Sequence, residues 1–130
     1  MEEEIRRAQE AIAEHTGVTP LWFRAPFGAR WFGLEGAQTR AGVGGVMWTV
    51  IGYDWKRKAE EVAARIQARV ENGAILCLHD GRELRARPDI GVTVAAVERL
   101  VPWLQDWGYT LETVSRLLCP IYPTNSLNGS

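Results

Sequence analysis

The chain has 130 residues, of which 46% are hydrophobic, and sets 15 basic against 16 acidic side chains for a net charge of −1. That is enough chain for one domain with a real core, and too little for a complete eight-fold barrel of roughly 250 residues. The even charge balance argues against a general electrostatic role on nucleic acid or an anionic membrane, and no apolar run approaches the ~20 residues that span a bilayer.

From Glu2 to about Thr16 the pattern is helical, with Ile5, Ala8, Ile12 and Ala13 on one face and charges on the other. Gly17 is placed to cap its C-terminus. Leu21 to Arg24, bounded by Pro20 and Pro26, and Val46 to Val50, led in by a flexible Gly42-Val43-Gly44-Gly45, both read as strands. Between them, residues of about Trp31 to Arg40 form a helix interrupted by Gly33 and Gly36. A stronger helix runs from Lys58 to Glu71, where Val62, Ile66 and Val70 recur every fourth residue and Asn72-Gly73 ends the pattern.

Ala74 to Leu78 is a continuous apolar strand, the pattern of a parallel strand covered on both faces. Thr93 opens the last long helix, with Val97, Leu100, Val101, Leu104 and Trp107 as its core stripe, Pro102 as a kink and Gly108 as its end. Tyr109 to Val114 is the final strand, and residues 119–130 are a polar tail expected to be mobile. This alternation calls for a parallel α/β sheet or a barrel sector. Four strands do not close a barrel, so exposed strand edges imply missing elements or self-association.

The acidic start, Met1-Glu2-Glu3-Glu4, does not resemble a secretory signal, and location stays unknown. Cys77 lies in an apolar strand and Cys119 beyond the last regular element, so two unpaired thiols are expected. Trp22, Trp48, Trp103 and Trp107 are assigned to packing. The basic clusters Lys56-Arg57-Lys58 and Arg82, Arg85 and Arg87 have a solvated surface as their default, with polymer contact a lesser reading for the second.

Three clusters sit at or just past strand ends, where α/β folds gather their chemistry: Arg24-Ala25-Pro26-Phe27-Gly28, Asp54-Trp55, and Cys77-Leu78-His79. If they converge, Asp54 supports His79 as a general acid and Arg24 orients a second carboxylate. In order and spacing these clusters resemble the third, fourth and fifth motifs of the polysaccharide deacetylases, the NodB-type carbohydrate esterase family four. Thr16-Gly17, Pro20, Gly73 and Gly108-Tyr109 support the alignment, which covers about residues 1 to 118.

The resemblance implies a partial (β/α) barrel, roughly the C-terminal half of a deformed seven-stranded deacetylase barrel. In the family a divalent, zinc-like metal activates water against an N-acetyl or O-acetyl group on a carbohydrate polymer. By position His79 is the acid, Asp54 its charge partner and Arg24 the residue that orients the base. The backbone N–H of Phe27 helps hold the oxyanion, Trp55 walls the sugar groove, and Cys77 replaces a pocket-lining leucine. Ile51 stands where an extra aspartate is common. The first motif, with the base and a metal aspartate, and the second, with His-x-x-x-His, are absent, and His15 has no partner at metal spacing. This chain is therefore expected to hold no metal and to be inactive alone, with a missing N-terminal half or a second copy as protein partner. A catalytically silent binding or assembly module is the alternative. A sugar-cleaving barrel, which needs two facing carboxylates, is the third reading.

Overall fold

A computed structural model describes residues 1–81 and 86–118. Cys119, the expected tail, and Arg82 and Arg85 lie outside the described residues. The chain divides into two compact units, residues 1–47 and the residues from Trp48 onward.

In the first unit, helix α1 (Glu2–Thr16) is followed by strand β1 (Trp22–Phe23), a 3-10 turn (Pro26–Gly28), helix α2 (Leu34–Ala41) and strand β2 (Gly44–Gly45). Gly17 takes the left-handed conformation, φ 72°, and its N–H closes α1 onto the Ala13 carbonyl, as its position predicts. The apolar stripe of α1 is buried only at Ile5, which packs with Ala37, Ala41 and Val43 beneath Phe23, while Ala8 and Ile12 are exposed. At the same end Glu2 accepts from Arg40 Nε at 2.7 Å and Arg6 Nε at 3.2 Å. These pairs are solvated and add little beyond register.

Gly44-Gly45 is a strand and not the flexible lead predicted for it. It pairs in parallel with β1, Trp22 opposite Gly44 and Phe23 opposite Gly45. The reason is space: a Cβ on Gly44 would lie 2.6 Å from the Trp22 ring, so glycine serves a close approach here. The single strand expected over Val46–Val50 is accordingly divided, because the ladder of β2 ends at Val46, whose N–H reaches Phe23 O, and a new one begins at Thr49.

In the second unit, strand β3 (Val50–Ile51) pairs in parallel with β4 (Leu76–Cys77), and helices α3 (Ala59–Gln67) and α4 (Gly91–Asp106) are packed together. Val50, Ala59, Val62, Ala63, Ile66, Ala96, Leu100 and Leu104 make the core, which explains the four-residue recurrence in α3. On α4 the buried face is Ala96, Leu100 and Leu104. Val97 is exposed, and Trp107 is 68% exposed with its ring 5.2 Å from Trp103, so the predicted stripe is turned and Trp107 is not a packing residue.

Tyr109 to Val114 is not a strand. The N–H of Tyr109 caps the end of α4 by donating to Leu104 O at 2.9 Å, and its hydroxyl donates to Val70 O. Thr113 then accepts from Arg116 N–H and starts a short helix, α5 (Val114–Leu118). A segment used at both ends for caps leaves no run for a ladder. Among the described residues no helix is long and apolar enough to cross a membrane.

Candidate active site

The site grows from the end of β3. Gly52 follows the strand, and a Cβ there would lie 2.5 Å from Leu78 Cδ2 and 3.0 Å from Val62 Cγ1, so only glycine lets β4 and α3 approach at this point. Tyr53 then takes a left-handed conformation, φ 59°, a state that costs a non-glycine residue ~1–3 kcal/mol and that clusters at functional sites. Lys56 N–H donates to Tyr53 O at 3.1 Å and closes a tight turn. This reversal buries Asp54 to 1% exposure while the next side chain, Trp55, stays exposed.

His79 arrives two residues beyond β4. Its backbone N–H donates to Asp54 Oδ2 at 2.8 Å, and its ring Nδ1 lies 2.8 Å from Asp54 Oδ1. A third donor comes from the first turn of α4, where Thr93 Oγ1 lies 2.6 Å from Asp54 Oδ2. One carboxylate thus fixes the backbone and the ring of the same histidine, and a helix start locks the carboxylate. With Nδ1–H donating to the carboxylate, Nε2 is the ring atom left to exchange a proton, and the side chain is 39% exposed, enough to meet a substrate. The Trp55 ring stands edge-on to the imidazole, centroids 4.8 Å apart at 85°.

Burial pushes the Asp54 carboxyl up, but the hydrogen bonds from Thr93 and His79 outweigh it, and its pKa lies below the ordinary aspartate value. It therefore stays ionised and faces the ring as a negative charge at neutral pH.

Of the six residues that sequence reasoning brings to one site, Arg24, Phe27, Asp54, Trp55, Cys77 and His79, the structure places Asp54, Trp55 and His79 together. Cys77 is buried in β4, two residues before His79. Arg24 and Phe27 belong to the first unit. There Arg24 donates to the carbonyls of Val46 and Met47, each at 3.4 Å. Phe27 is left-handed, φ 58°, within a turn closed by the N–H groups of Gly28 and Ala29, and its side chain is 102% exposed. Thr93 and Tyr53 were missed by the sequence reading. Thr93 was visible only as a helix opener, and nothing in the sequence marks the φ of Tyr53.

No group of three or more His, Cys, Asp or Glu able to hold a metal occurs among the described residues. Both Asp54 oxygens already accept hydrogen bonds within the protein, so the Asp54–His79 pair does not by itself supply the three protein ligands of a catalytic zinc.

No family model matches the chain. It is 30% identical over 117 residues to the uncharacterised protein YlxY of Bacillus subtilis, covering 89% of this chain and 34% of that one. It is 33% identical over 97 residues to the chitooligosaccharide deacetylase of Sinorhizobium fredii, covering 70% and 45%. In fold it matches a solved mutant of a Bacillus anthracis pseudoenzyme of carbohydrate esterase family four with restored enzymatic activity, at a TM-score of 0.77 and 24% identity, over 91% of this chain and 42% of that one. The chain thus spans less than half the length of each of these proteins. On these likenesses and its ordered motifs, the chain belongs to the NodB-type polysaccharide deacetylases of carbohydrate esterase family four, of which it represents a part.

Proposed function

We propose that this chain supplies the general-acid side of a polysaccharide deacetylase, as roughly the C-terminal half of its (β/α) barrel. The observation that carries this is the Asp54 clamp on His79, which presents Nε2 beside an exposed tryptophan. In the reaction a water oxygen bonds to the acetyl carbon, the carbon–nitrogen or carbon–oxygen bond to the sugar breaks, and His79 Nε2 gives its proton to the departing atom. Asp54 holds the ring in the donating orientation. Trp55 walls the sugar groove, with the buried Cys77 lining the acetyl pocket behind His79. Arg24 orients the carboxylate base, and the Phe27 N–H helps hold the oxyanion. The base and the divalent metal that activates water come from residues outside this chain, so the chain alone is inactive.

The test joins this chain to the segment of the Sinorhizobium deacetylase that carries the family's first two motifs and measures acetate release from an N-acetylated oligosaccharide. Release that disappears in His79→Ala supports the reading; release unchanged by that substitution overturns it. A second reading is a catalytically silent binding or assembly module, which as a binding module would hold the glycan without cleaving it. Glycan binding by a joined, folded protein that releases no acetate would select it.

A further inference from the structure

The turn that buries Asp54 also gathers positive charge. Lys56 Nζ lies 4.5 Å from the centre of the Tyr53 ring, Arg65 Cζ 4.6 Å and Arg57 Cζ 5.8 Å. Lys56 Nζ is also 5.9 Å from the centre of Trp55, whose ring is the one against His79. Three cations around one aromatic ring repel one another, and the attraction of the ring face for each offsets this only in part.

Among the described residues no carboxylate pairs with Lys56, Arg57 or Arg65. The acidic residues of the first turn of α3 are engaged elsewhere: Glu60 accepts from Arg99 Nη2 at 2.8 Å, and Glu61 accepts from the backbone N–H of Lys58. Lys56 and Arg57 also stand just before the N-terminal end of α3, where the helix dipole favours negative charge, while Arg65 lies in its last turn. Arg65 is held by donating Nε to Ile51 O at 2.8 Å, so one member of the group is fixed to the strand that leads into the site.

We propose that Tyr53, Lys56, Arg57 and Arg65 form a shelf that takes an anionic group, carboxylate or phosphate, on a sugar next to the one at His79, so that the favoured polymer is an acidic glycan and not a neutral one. This rests on the glycan-binding reading above and specifies its substrate class. The strained backbone of Tyr53 fits that role, because it turns the ring toward the cations while Asp54 is turned inward.

The experiment measures binding of the 130-residue chain to three N-acetylglucosamine tetramers: unmodified, carboxymethylated at O-6, and phosphorylated at O-6. At least one charged tetramer is expected to bind about tenfold tighter than the neutral one, the value for two or three exposed charge pairs. The tighter of the two names the anion. The advantage should disappear in Lys56→Gln/Arg57→Gln and shrink at high salt, with neutral binding unchanged. Equal affinity for all three tetramers, or an advantage that survives the double substitution, overturns the shelf while leaving the glycan reading intact. No binding of any tetramer by a folded chain removes both.

Discussion

The two units each place a left-handed, non-glycine residue inside a family motif, Phe27 in one and Tyr53 in the other, yet they anchor it differently. Beside Tyr53, Asp54 is buried and accepts from His79 twice and from Thr93 once, at 2.6 to 2.8 Å. Beside Phe27, Arg24 reaches two carbonyls at 3.4 Å, the outer margin of hydrogen bonding, and the aromatic ring is fully exposed. The second unit thus builds the Asp54–His79 pair, the acid of the proposed reaction, from its own residues. In the first unit the printed bonds of Arg24 run to backbone carbonyls, and the roles proposed for Arg24 and Phe27 act on groups that this chain does not supply. The difference lies in how tightly each motif is fixed: short bonds to a buried carboxylate in the second unit, and bonds at the outer margin of hydrogen-bond length to backbone carbonyls in the first.

The largest effect that would sharpen this contrast is catalytic: in the joined enzyme, His79→Ala should lower the rate of acetate release by ~10²- to 10⁴-fold, the range for loss of a general acid. Next comes Asp54→Asn, which removes the buried carboxylate from three donors. It should destabilise the second unit by ~1–3 kcal/mol in denaturant unfolding, whereas Arg24→Ala in the first unit should cost less than ~1 kcal/mol. Equal costs would break the comparison. Gly52→Ala, which forces a methyl against Leu78, should cost ~1–3 kcal/mol by the same measurement.

The smallest effect is linked to pH. The Asp54 pKa is depressed on folding, so its contribution is fully present above the unfolded aspartate value of about 3.9 and is lost as pH falls through the lower folded value. Thr93→Val removes the 2.6 Å bond and should shrink that acid-range dependence, read as a flatter stability profile between about pH 5 and pH 2. An unchanged profile would show that Thr93 does not set the charge state of Asp54.

Helices were legible in this sequence wherever a buried face repeated. Val62 and Ile66 in α3 announced themselves by spacing, and Gly17 announced the end of α1. The strands were less legible, because each ladder is only two residues long and its partner is remote in sequence: Trp22 chooses Gly44, and Val50 chooses Leu76. Tyr109 to Val114 misled because β-branched and aromatic residues there serve caps, with Thr113 followed three residues later by a bonded N–H as the overlooked signal. At the site, Asp54 and His79 were visible as motif residues, but a hydroxyl from a helix start 39 residues from Asp54 could not be inferred from spacing.

Asp54 holds His79 with Nδ1 inward, which leaves Nε2 as the ring nitrogen able to exchange a proton. The most direct measurement is the ¹⁵N tautomer of His79 by long-range ¹H–¹⁵N correlation at a pH where the imidazole is neutral, with the only other histidine removed by His15→Gln. A proton on Nδ1 and an unprotonated Nε2 are expected, both lost to a tautomer mixture in Asp54→Asn. A proton on Nε2 in the otherwise unaltered protein would contradict this arrangement.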